Sequence, residues 1–119
     1  MGLQKELHER LDILEKGGLI ASDVGHYCQQ VVEMLLQEKP DIDDEKAAIF
    51  ITHLAMATQR TKDGKEENPM DAVIVEQIKQ EASYPQAKGF AEKMFALKSV
   101  SYSQVEKDYL IVHLCNLFT

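Results

Sequence analysis

Two histidines, His53 and His113, combine a reactive side chain with polar partners at helical spacing. His53 lies in the run Ile51-Thr52-His53-Leu54-Ala55-Met56-Ala57-Thr58-Gln59-Arg60, and His113 in Glu106-Lys107-Asp108-Tyr109-Leu110-Ile111-Val112-His113-Leu114-Cys115-Asn116. Imidazole is a competent nucleophile and changes charge near neutral pH. Residues seven apart on a helix share nearly one face, about 10 Å along the axis. That spacing aligns Lys46, His53 and Arg60, and it groups Glu106, Tyr109, His113 and Asn116.

The chemistry this suggests is phosphoryl acceptance. One ring nitrogen must be neutral to attack phosphorus, while the proton on the other is held by an acceptor. Glu106 or Asn116 could supply that acceptor. Arg60 suits the phosphate, because its planar fork donates two parallel charge-assisted hydrogen bonds. A bound phosphoryl group would add roughly −1.5 to −2 of charge. The plainer reading of either histidine is a half-buried packing residue on an apolar helix face. His8 and His26 lack comparable surroundings and read as surface or interface residues.

Other chemistries find little support. His8-Glu9 has no second histidine at zincin spacing, and there is no phosphate-cradling glycine loop or G-x-S-x-G elbow. Cys28 and Cys115 are too few for a disulfide framework or a four-ligand zinc site, so reduced thiols are expected. Cys115 and His113, two apart on a helix, point in different directions and make no dyad. No coherent set of nucleophile, base and oxyanion donors emerges, so no enzyme, catalytic residue, metal or cofactor is expected.

The elements that must position these groups read as helices. With 119 residues, 45% of them hydrophobic and 28% charged, the chain can bury a core of its own. A net charge of −7 argues against direct binding to nucleic acid or to an anionic membrane. No apolar leader follows Met1, and the apolar stretch over 47–57 is too short to span a bilayer, so a cytoplasmic protein is expected.

Leu3, Leu7, Leu11 and Leu14 form a narrow stripe ending at Gly17-Gly18, a C-cap. Such a stripe resembles a pairing seam, against the bundle or a second subunit. Ser22 is the expected N-cap of a second helix, which Pro40 ends. Acidic residues over 41–45 cap a third helix reaching about Thr61. Being apolar nearly all round, it is expected to be the central and most buried helix.

A polar loop is expected over 61–68. Asn68-Pro69 then starts a fourth helix to about Ala82, with Met70, Val73, Ile74 and Ile78 along it. An extended strand over 72–75 is the weaker alternative. Tyr84-Pro85 breaks the chain before a fifth helix with Ala87, Phe90, Ala91, Met94, Phe95 and Leu97 inward. Ser101 or Ser103 caps a last helix to about Phe118, with Val105, Tyr109, Val112 and His113 in its stripe. Six helices joined by short turns describe an all-α bundle.

The His53 run with Arg60 seven residues on, the break Glu81-Ala82-Ser83-Tyr84-Pro85-Gln86-Ala87, and the closing set Glu106, Tyr109, Leu110, His113 and Asn116 resemble a PTS regulation domain (PRD) over roughly 19–119. The resemblance implies a five-helix PRD-like bundle, residues 19–119, preceded by an additional N-terminal helix, residues 1–18. It implies a free-standing regulatory module of the phosphoenolpyruvate:sugar phosphotransferase system, acting in transcriptional control of carbohydrate use.

His53 and His113 would be its phosphoacceptors, with Arg60, Glu106 and Asn116 as support. The implied partners are the histidine phosphocarrier protein or a sugar-specific phosphotransferase component, a second copy in a homodimer, and a PRD-containing regulator. The chain departs from the family pattern at Thr52, where an aspartate is usual, and at Asp108, where a glycine is frequent. The alternative is a helical interaction protein that binds another PRD-containing regulator without being phosphorylated.

Overall fold

A computed structural model describes residues 2–65, 68–97 and 100–119. Among these the secondary structure is entirely helical: α1 (Gly2–Lys16), α2 (Ser22–Glu38), α3 (Asp44–Lys62), α4 (Ala72–Ile78), α5 (Tyr84–Phe95) and α6 (Gln104–Leu117). The chain divides into two compact units, Met1–Gln59 and Arg60–Thr119.

In the first unit α1 packs on α2 and buries Leu7 and Leu11, while Leu3 and Leu14 at the ends of the stripe are half-buried. Gly18, at φ 76°, closes α1. The Leu19 amide donates to the Leu14 carbonyl and the Gly18 amide to that of Glu15, the two bonds of a Schellman cap. Glycine is required there because a Cβ disfavours the left-handed conformation.

The N-cap of α2 is Ala21, not Ser22, which occupies the first helical position. Ala21 has no side chain that can cap, and in the first turn the Asp23 side chain accepts from the Val24 amide at 3.0 Å. The Ala21 amide itself donates to the Gln59 side chain at 2.8 Å, so a residue of α3 does what the return bond of a local capping box would do. Asp43 caps α3 by accepting from the Lys46 amide at 2.9 Å. Just before it, Ile42 is buried.

The third helix is not apolar-buried all round. Ala47, Phe50, Ile51, Leu54, Ala55, Ala57 and Thr58 face inward, but Ile49 is 55% exposed and His53 is exposed. Thr58 lies in the core because its hydroxyl donates to the Leu54 carbonyl at 2.7 Å, satisfying itself within the helix.

Cys28, on α2, is fully buried, and burial pushes its thiol from 9.0 up to about 12. The unfolded thiol therefore loses its proton at lower pH than the folded one. Stability tied to this group is intact below pH 9 and is lost between 9 and about 12. The slope is about 1.4 kcal/mol per pH unit. Urea titrations at rising alkaline pH should show this loss in the native chain and a shallower one in Cys28→Ala. Identical slopes in the two proteins would remove the assignment.

In the second unit Gly64, at φ 73°, ends α3 with another Schellman pair: Lys65 to the Arg60 carbonyl and Gly64 to that of Thr61. Glu66 and Glu67 of the expected loop lie outside the described residues. The fourth helix begins later than expected. Asp71 caps it by accepting from the Val73 amide at 2.9 Å, leaving Asn68-Pro69 outside, and it stops at Ile78 rather than Ala82. Residues 72–75 are helical, not extended. Val73 and Ile74 are exposed at 62% and 45%.

Pro85 falls in the first turn of α5 instead of breaking the chain before it, consistent with a position that needs no amide donor. Ala87, Phe90, Ala91 and Met94 are buried, and Phe90 meets Phe118 edge-on at 5.8 Å. Ser103 is the N-cap of α6, accepting from the Glu106 amide at 3.2 Å. The inward face of α6 is Glu106, Leu110, Leu114, Cys115 and Leu117. The expected stripe of Val105, Tyr109, Val112 and His113 is only half-buried.

Candidate functional site

His53 stands on the exposed strip of α3 between Ile49 and Met56, with Lys46 a further turn back. The helix beneath it is anchored on both sides, by Phe50 and Ile51 before it and Leu54 and Ala55 after it. An imidazole on a solvent-facing strip of a well-packed helix is both reachable and held in place. The preceding residue, Thr52, turns its hydroxyl onto the Ala48 carbonyl at 2.9 Å. That hydroxyl is committed to its own helix.

Arg60 and Glu106, expected as separate supports, are partners of each other within the second unit. Arg60 Nε donates to Glu106 Oε2 and Nη2 to Oε1, both at 3.1 Å, the two-pronged fork of a bidentate pair. The Glu106 side chain has no solvent exposure and that of Arg60 has 32%. Glu106 can sit on the inward face of α6 because a guanidinium covers both of its oxygens. Its carboxylate is thus occupied as an acceptor, and the fork of Arg60 is turned to a carboxylate rather than to an open site.

His113 is half-buried on α6 in the second unit, and Asn116 is exposed one turn further on. Tyr109, in the same set, donates its hydroxyl to the Asn68 carbonyl at 2.9 Å and so ties α6 to the segment ahead of α4. Of the five site residues read from the sequence, Arg60 and Glu106 are joined; His53 belongs to the first unit and His113 to the second. The sequence carries no signal of this pairing. Ser103-x-x-Glu106 has capping-box spacing, and Ser103 does cap the Glu106 amide, but both carboxylate oxygens of Glu106 are turned to Arg60.

Among the described residues no group of three or more His, Cys, Asp or Glu could hold a metal ion, and no helix is long and apolar enough to cross a membrane. His8 Nε2 lies 3.2 Å from Glu33 Oε2, which also accepts from Gln4, so this histidine ties α1 to α2.

The chain is thus an all-helical protein with a candidate histidine on each of two helices. It is similar to the uncharacterized protein YhfY of Escherichia coli (strain K12), with 24% identity over 113 residues that cover 94% of both chains. No family model and no solved structure matches the chain.

Proposed function

We propose that the chain is a regulatory module of the PRD type, a five-helix bundle over 19–119 with an additional N-terminal helix over 1–18. It accepts phosphoryl groups on His53 or His113 from the histidine phosphocarrier protein or a sugar-specific component of the phosphotransferase system. The observation that carries this reading is the exposure of His53 on a helix whose other faces are packed. A donor protein needs such a ring, since in-line transfer requires its nitrogen and the incoming phosphorus to meet without intervening side chains. The added negative charge acts on an interface, homodimeric or with a PRD-containing regulator, because like charges brought together without pairing cost free energy. In this role the protein is cytoplasmic and controls transcription of carbohydrate-use genes without catalysing a reaction or touching nucleic acid itself.

Incubation with phosphoenolpyruvate, the general phosphotransferase enzyme and its phosphocarrier tests the assignment by site. His53→Ala should abolish labelling at that position while leaving any at His113, and the double variant should carry none. Equal labelling of native chain and double variant would overturn the reading.

A second reading has its own support. Thr52 is bonded to its own helix, and the Arg60 fork is filled by Glu106, so the furniture for a phosphohistidine is reduced. The chain would then be an interaction protein that binds another PRD-containing regulator without phosphorylation. Binding of such a regulator that persists unchanged in His53→Ala and His113→Ala favours this second reading over the first.

A further inference from the structure

Within the second unit, α4, α5 and α6 enclose a cleft of about 390 Å³, a volume within the range of small-molecule sites. Its apolar wall is built from Val75 and Ile78 of α4 and Ile111 and Val112 of α6. None of these four is fully buried, although all are large aliphatic residues. On a short helix such as α4, which buries no residue completely, an uncovered aliphatic wall is surface that a ligand would remove from water.

The polar lining is asymmetric. Tyr84 and Lys88 stand one turn apart on α5, so the hydroxyl and the ammonium line the same side. Lys79 is already engaged, its Nζ 3.1 Å from Glu76 Oε1. The Lys88 ammonium has no ion-pair or hydrogen-bond partner among the described residues. On the α6 side Asp108 accepts from Gln104 Nε2 at 2.9 Å, which leaves a carboxylate in the lining.

We propose that this cleft binds a small organic monoanion with a compact apolar body, its charged group taken by Lys88 and the Tyr84 hydroxyl and its body laid on the aliphatic wall. One unengaged ammonium matches one negative charge. Asp108 in the same lining opposes a second, which selects a carboxylate over a phosphate dianion. The assignment rests on the lining of the cleft and not on phosphorylation of either histidine.

Titrating the full chain with 4-methylpentanoate, followed by amide chemical shifts in NMR, tests the proposal, with inorganic phosphate as the comparison anion. Saturable shifts are expected at Val75, Lys88, Ile111 and Val112. Lys88→Glu should weaken binding by about tenfold or more. Lys5→Glu, which changes net charge equally at an exposed position of α1, should leave it unaltered. Shifts that stay absent at millimolar concentrations, that persist in Lys88→Glu, or that phosphate reproduces with equal affinity would overturn the assignment.

Discussion

Arg60→Ala should destabilise the protein by about 3–5 kcal/mol, because it leaves the fully buried Glu106 carboxylate without the guanidinium that covers both of its oxygens. The two members of the pair are not equivalent. A cut at Arg60 strands a charge that has no solvent exposure, whereas Glu106→Gln strands a guanidinium that remains 32% exposed and can be hydrated. Glu106→Gln keeps an acceptor oxygen for one prong of the fork and should cost about 1–2 kcal/mol. Replacing both partners by apolar side chains, Arg60→Met with Glu106→Leu, should recover much of the loss, since the desolvation cost of the ions disappears with them. Denaturant midpoints for the three variants decide the matter. Equal and small losses in the two single variants would mean that the pair is wet and contributes little.

Phe50→Ala should cost about as much, roughly 3–5 kcal/mol, by a different route. Phe50 is 1% exposed and sits one turn before His53 on α3, so its removal opens a cavity under the helix that presents the histidine. Against a net stability of about 5–15 kcal/mol, that loss is a large fraction of the whole. His53→Ala, at an exposed position, should cost less than about 1 kcal/mol. The contrast is useful for function: a loss of phosphoryl acceptance in His53→Ala reads on chemistry, while the same loss in Phe50→Ala reads on the helix. Thermal or urea unfolding that ranks the two variants in the opposite order would contradict the packing described for α3.

Much of the helical pattern was legible in the sequence because it rests on local chemistry. Leu7 and Leu11, the Gly18 cap, and the inward set Ala87, Phe90, Ala91 and Met94 follow from 3.6-residue periodicity and the conformational freedom of glycine. The errors cluster where a distant residue decides. Glu106 is grouped with His113 in the sequence, but Arg60, 46 residues earlier, takes its carboxylate, and the inward face of α6 runs through Glu106, Leu110 and Leu114 instead of Val105, Tyr109 and Val112. Ala21 could not be identified as a cap because its acceptor is Gln59 of another helix. On α3, aliphatic residues on nearly every face hid which strip is exposed, so the accessibility of His53 had no sequence signature. At α4 the expected start, Asn68-Pro69, lies ahead of the helix. The Asp71 side chain, which satisfies an amide, prevailed over Pro69, which merely lacks one.

The central claim is that this chain receives phosphoryl groups on imidazole. The most direct measurement is the intact mass of the native protein before and after exposure to phosphoenolpyruvate with the general phosphotransferase enzyme and its phosphocarrier. The account predicts a gain of one or two phosphoryl groups that mild acid removes, as expected of a phosphoramidate. A mass unchanged under conditions that phosphorylate the carrier itself, or a gain that survives acid, would contradict it.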